Sequence, residues 1–243
     1  MANIKQNYLN SHKIDNSKKL SLFAKNLKKD YLNKNPNFII IRKFEKNRKL
    51  IKRKLISFSK NLGKICPQNS SGDKYLEIKP NLKKIKKIPK SKQLEKVRYH
   101  ESNAGGSIHS DGPQLNIPPK YLLMVCIKNA KKGGESIVTN TKKIYDFIKK
   151  NKPEHLKNLK KNYFFERRGF KKSKPYVLSK PIFTSEKNFK FRYLKEYILS
   201  GYAIKKASLS NKKRMSLEYL DTLLSNKKFQ KKYKLNGGDL IIL

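Results

Sequence analysis

The sequence predicts an α+β protein, mainly β, with an antiparallel barrel or jelly roll at its centre and helices packed outside. Three observations predict it. Several short β-branched or aromatic runs are present, a few segments carry apolar residues at helical spacing, and strands and helices do not alternate in the manner of a doubly wound sheet. At 243 residues, 37% hydrophobic and 10% aromatic, the chain is long and apolar enough for one large domain.

Taken in order, Leu20, Phe23, Leu27 and Tyr31 step at helical spacing, as do Ile51, Leu55, Phe58 and Leu62. Between them Phe38-Ile39-Ile40-Ile41 reads as a short buried strand. Residues 81–98 carry many lysines and no consistent apolar face, so an exposed loop or ribbon is expected there. The character then changes. From Tyr99 to Ile127 the only basic residue is Lys120, and LLMVCI (122–127) has the look of a strand buried on both faces. Gly133-Gly134 breaks the chain before Ile137-Val138, a further strand. Asn140 or Thr141 caps a helix that turns Ile144, Phe147 and Ile148 inward. Aromatic, extended-looking pieces fill 161–194, and a helix with Leu217, Leu220, Leu223 and Leu224 on one side follows. A turn at Asn236-Gly237-Gly238 leads into DLIIL, a last strand. We divide the chain into a helical and polar segment, 1–36, and a domain, 37–243.

The formal net charge is +43, yet only eight of the 60 basic residues are arginine. A specific nucleic-acid binder concentrates guanidinium, whose planar fork pairs with phosphate and guanine edges. A Lys/Asn/Ile-rich, Arg-poor alphabet instead looks like the imprint of an AT-rich coding sequence, so no specific nucleic-acid partner is expected. The longest apolar run, Tyr121 to Ile127, falls far below the roughly 20 residues of a membrane helix. The N-terminus lacks the apolar core of a secretory signal. A cytoplasmic protein is expected, and Cys66 and Cys126 read as reduced thiols.

Of four histidines, His12 and His155 lie in polar, lysine-rich surroundings. His109 stands in Gly105-Gly-Ser-Ile-His109-Ser-Asp111-Gly-Pro113, just before the most apolar stretch. In extended backbone, residues i and i+2 share a face, so His109 and Asp111 can converge on one metal ion. An imidazole and a carboxylate make two thirds of the 2-His-1-carboxylate triad of non-haem Fe(II) oxygenases. Taken alone the pair is a weak signal, and a histidine in a turn with Asp111 accepting a backbone hydrogen bond is the commoner reason for it.

The longer string SIHSDGPQLNIPPKYLLMVCIKNAKKGGESIV resembles the taurine dioxygenase family (TauD/TfdA, clavaminate synthase-like). In that family a metal-binding His-x-Asp/Glu precedes a Pro-containing loop, a buried strand and a Gly-Gly-acid-Thr/Ser turn. The turn here is Gly133-Gly134-Glu135-Ser136, with Ser136 27 residues beyond His109. Lys180-Pro-Ile-Phe183, Phe191-Arg192-Tyr193, the 216–224 helix and Gly238-Asp239-Leu-Ile-Ile-Leu243 extend the likeness, and Leu62-Gly-Lys-Ile-Cys-Pro-Gln68 carries its flavour upstream. The resemblance covers residue 37 to the end.

It implies a double-stranded β-helix holding Fe(II), with 2-oxoglutarate as cosubstrate and O2 as oxidant. His109 and Asp111 are the implied metal ligands, and Ser136 the hydroxyl that helps hold the cosubstrate. Oxidative decarboxylation to succinate would drive hydroxylation of a small anionic or zwitterionic metabolite, and a carboxylate at 111 favours hydroxylation over halogenation. Asn103, Arg192 and Tyr193 are candidates to face that metabolite. The family's second histidine and its carboxylate-binding arginine follow the Gly-Asp strand, where this sequence stops, so the domain is expected to be C-terminally incomplete. Two alternatives remain open: a degenerate member that binds ligand without turnover, and a basic polyanion-binding protein whose affinity falls steeply with salt.

Overall fold

The computed structural model describes residues 8–10, 17–32, 38–68, 71–80, 82–87, 106–167 and 176–243. The β-branched run 38–41 becomes β2 (Ile39–Arg42), which pairs in parallel with β1 (Tyr8–Asn10) on one side. On its other side lies β8 (Leu240–Ile242), antiparallel to β2 and to β3 (Leu123–Val125), so the sheet order is β1-β2-β8-β3. The register sets Ile39 and Leu123 opposite Ile242.

Strand alternation gives this sheet two apolar faces. Ile39, Ile41, Leu240 and Ile242 pack toward α1 (Ser17–Leu27) and α2 (Arg48–Leu62). Ile40 and Ile241 point the other way, toward Tyr233 and Leu235. Both helices form where the apolar spacing predicts them. Asn47 caps α2 by accepting from the Lys49 N–H, and Ile51, Leu55, Phe58 and Leu62 are its buried stripe. On α1 the buried residues Leu20, Ala24 and Leu27 join the same core, and a π-helical turn, Lys28–Leu32, extends it to Leu32.

The second half folds around a separate apolar cluster. A short helix α3 (Leu82–Lys86) precedes it, and β4 (Ser136–Thr139) pairs antiparallel with β7 (Gln230–Tyr233). Asn140 accepts from the Lys143 N–H and caps α4 (Thr141–Asn151), which buries Ile144, Tyr145 and Ile148. Pro153 opens α5 (Pro153–Leu159), a position where its missing N–H costs nothing. The hairpin β5 (Asn162–Glu166) and β6 (Val177–Pro181) follows, then α6 (Lys195–Ile204) and α7 (Asn211–Ser225), whose Leu217, Leu220, Leu223 and Leu224 are all buried. The α6 backbone lies against β5 at Gly201, where a Cβ would sit 2.3 Å from the Phe164 carbonyl oxygen. Among the described residues no helix is long and apolar enough to cross a membrane, and both cysteines are free and half-buried.

Four expectations change. Strands among the described residues are short, three to five residues each, against helices of up to 15, so the fold is mixed α+β more than mainly β. Lysine propagates helices well, and amphipathic stripes convert much of the lysine-rich chain to helix. The 182–193 aromatics contribute a single Phe183–Phe191 bridge and pack as rings in the helical lobe. Strand β3 is half-buried, being paired with β8 alone in a sheet where it stands last. Within 81–98, residues 82–86 are helical, and the part beyond 87 lies outside the described residues.

Candidate metal centre

His109 and Asp111 lie on the loop that carries the chain from residue 106 to β3. The His109 Nδ1 is 2.6 Å from the carbonyl oxygen of Ser107. A carbonyl only accepts, so Nδ1 is the donor here, and in the neutral imidazole that leaves Nε2 as the nitrogen able to ligate a metal. Crowding by protein pushes the Asp111 carboxyl above its ordinary pKa, and His109 pulls it partly back. The His109 side chain is thus close enough to be felt electrostatically by the Asp111 carboxyl.

The residue between them is fixed twice. The Ser110 N–H donates to the Tyr193 carbonyl at 2.9 Å, and the Tyr193 N–H donates to the Ser110 hydroxyl at 2.9 Å. Beyond Asp111 the chain turns tightly. Gly112 has φ +63, which a residue with a Cβ adopts only under strain, and the Leu115 N–H closes the turn on the Gly112 carbonyl at 3.0 Å.

Arg192 and Tyr193 both engage protein. Arg192 is 5% exposed, and its guanidinium donates to the carbonyls of Pro113, Leu115 and Asn116. The Tyr193 hydroxyl, on a side chain 1% exposed, donates to Asp221 on α7, which also pairs with Lys195. Burial and the neighbouring Asp221 carboxylate hold the Tyr193 phenol far above its usual value. Ser136 opens β4, in the other two-stranded unit opposite Tyr233, and is half-buried. Asn103 lies outside the described residues.

Sequence reasoning missed the anchors. Ser107, Ser110 and Asp221 act through a carbonyl, a hydroxyl and a distant helix, and no spacing signal marks such partners. Ser110 alone, enclosed by two candidate ligands, carried a hint.

Iron needs a third protein ligand in a facial triad. Among the described residues no group of three or more His, Cys, Asp or Glu side chains converges, so the structure supplies two fitting donors, His109 and Asp111. A recess of about 410 Å3 lies elsewhere, built on the Arg42–Asp239 ion pair and lined by Lys43, Lys46, Asn236 and Gly237. None of His109, Asp111 and Ser136 lines it.

Solved structures that superpose on this chain include an asparagine oxygenase and the non-haem iron oxygenase OrfP. An asparagine oxygenase in complex with Fe(II), 2S,3S-3-hydroxyasparagine and succinate superposes with a TM-score of 0.65 at 12% identity, over 92% of this chain and 70% of that one. The non-haem iron oxygenase OrfP with Fe and α-ketoglutaric acid gives 0.60 at 12% identity, over 93% and 72%. OrfP with Fe, succinate and (3S)-hydroxy-L-Arg gives 0.58 at 12% identity, over 93% and 69%. A comparison with curated proteins finds no significant match. The family model for the taurine catabolism dioxygenase TauD, TfdA family matches residues 24–243, and the chain belongs to that family. The match begins within α1, upstream of the residue at which the sequence likeness becomes readable.

Proposed function

We propose that this chain is an Fe(II)/2-oxoglutarate-dependent dioxygenase that hydroxylates a small zwitterionic metabolite of the amino-acid class. One observation carries the reading. On a loop of a TauD-family chain, a backbone carbonyl sets the His109 tautomer for ligation through Nε2 while Asp111 lies within its electrostatic reach. The amino-acid class comes from the fold neighbours, whose bound products are hydroxyasparagine and hydroxyarginine.

In this reading the sheet β1-β2-β8-β3 and the pair β4-β7 are the two walls of a double-stranded β-helix, with Ile40, Ile241, Tyr233 and Leu235 packed between them. His109 Nε2 and an Asp111 oxygen would hold the iron, and the Ser136 hydroxyl would receive the cosubstrate's far carboxylate. When bound, iron and 2-oxoglutarate supply the oxidising chemistry, coupling decarboxylation to succinate with oxygen insertion at a C–H bond. The protein's own work is to fix the imidazole through Ser107, to hold the loop through Ser110 and to keep the Asp111 carboxylate beside the imidazole.

Calorimetry with Co(II), a slow-oxidising stand-in for Fe(II), and 2-oxoglutarate tests this. Ternary binding that disappears in both His109→Ala and Asp111→Ala upholds the site, and succinate formation with Fe(II) upholds catalysis. Ternary binding with no succinate moves the chain to the ligand-binding alternative. Indifference of Co(II) binding to both substitutions overturns the assignment.

A further inference from the structure

We infer that Arg192 is a positioning residue for the metal site, clamping through three backbone carbonyls the turn that follows Asp111. The inference rests on the proposed role of His109 and Asp111. It also gives Arg192 a different task from contacting substrate.

The geometry is that of a fork closing on a turn. Nη1 donates to the Pro113 carbonyl at 3.1 Å and to the Leu115 carbonyl at 2.5 Å, and Nη2 donates to the Asn116 carbonyl at 2.8 Å. Three carbonyls within four residues converge on one side chain only when the backbone is curled around it. Guanidinium suits this place because its donors are fixed in a plane and its charge is delocalised, so it is desolvated more readily than an ammonium. Composition sharpens the point. In a chain with eight arginines among 60 basic residues, the buried Lys or Arg among the described residues is an arginine.

Asp111 lies between two anchors that leave one stretch of backbone. Residue 193 holds Ser110 through two bonds, and residue 192 holds Pro113, Leu115 and Asn116 through three. The Arg192 N–H is itself fixed to the Ile182 carbonyl at 2.9 Å, which ties that stretch to the apolar lobe. The placement of the Asp111 carboxylate relative to His109 thus depends on both anchors holding at once. Releasing the distal one leaves Gly112, already at positive φ, as a pivot.

The experiment compares the wild-type chain with Arg192→Ala, Arg192→Lys and a core control, Leu159→Ala, all as full chains. Two quantities are read: Co(II) affinity by calorimetry, and amide hydrogen exchange without metal. We expect Arg192→Ala to weaken Co(II) about 10-fold or more, the range seen when groups that orient ligands are removed. The Leu115 and Ser110 amides should exchange at least 10-fold faster while those of β5 keep their rates. Millimolar guanidinium should restore both quantities in Arg192→Ala where sodium at equal ionic strength does not. Arg192→Lys, which keeps the charge and loses the fork, should stay closer to the Ala variant than to wild type, and it stands in if the Ala variant does not fold. Unchanged Leu115 exchange overturns the clamp. An equal loss of Co(II) affinity in Leu159→Ala reduces Arg192 to general stability and overturns the positioning role. If the wild-type chain binds no Co(II), the metal reading itself falls, and exchange confined to 110–116 still tells a working clamp from an absent one.

Discussion

The helical lobe and the ligand loop are held by opposite kinds of force. In the lobe, Tyr145, Leu159, Tyr163, Phe165, Phe183, Tyr193 and Leu220 are at most 1% exposed and pack ring against ring and ring against aliphatic chain. The 106–116 loop contributes Ile108 to that cluster as a partly buried neighbour, and its Ser107, His109, Asp111 and Asn116 are exposed. What fixes it is directional: Ser107 on His109, Tyr193 on Ser110, Arg192 on the turn. Apolar burial is strong and tolerant of small displacements, whereas a carbonyl-to-donor bond fails within an ångström. A site that must hold two ligands in register is better served by the second kind, mounted on an element secured by the first.

The sharpest way to break this comparison is to damage the lobe. Phe165→Ala removes a fully buried ring from β5 and should cost about 3–5 kcal/mol of stability in denaturant titration. Below its melting point the variant should keep Co(II) affinity within about twofold of wild type. A large loss of affinity in a folded Phe165→Ala protein would show that the lobe and the loop are one mechanical unit.

A middle-sized effect sharpens it from the other side. Ser110→Ala deletes the hydroxyl that receives the Tyr193 N–H, leaving a part-buried donor unsatisfied, and should cost about 1 kcal/mol. Its Co(II) affinity should nevertheless fall further than that of Phe165→Ala. Stability and affinity would then rank the two variants in opposite orders.

The smallest effect concerns the surface of the lobe. The Glu186 carboxylate is held below its ordinary pKa, first by its hydrogen bond to Lys149 and next by that to Lys142. A carboxyl depressed in the folded state adds stability above its unfolded pKa and loses it as pH falls through the folded value. Glu186→Gln should therefore lower the melting temperature slightly at neutral pH. The difference should vanish in acid and shrink in high salt, since the group is exposed and screened.

Legibility in the sequence followed the same division. The stripes of α2 and α7 and the strand β2 were readable because burial imposes a period, and Ile51-Leu55-Phe58-Leu62 is that period written out. His109 and Asp111 were readable because a two-residue spacing is itself a geometric statement. The roles of Arg192 and Tyr193 were not, since their partners are the carbonyls of Pro113, Leu115 and Asn116, a serine 83 positions away and Asp221 on α7. The burial of β3 was overestimated because local hydrophobicity does not say whether a strand ends central or at the edge of its sheet.

Strand β8 lies between β2 and β3, which it joins only after roughly 200 and 115 further residues of chain. During vectorial synthesis at about 5–20 residues per second, Leu123–Val125 leaves the ribosome on the order of ten seconds before its partner exists, and Ile39–Ile41 longer still. Throughout that interval β2 has β1 to pair with on one side only, its other edge is open, and β3 waits for its strand partner. The nascent chain thus presents, for seconds, the kind of unpaired edge that holdase chaperones bind and that neighbouring chains on a polysome can cross-pair with.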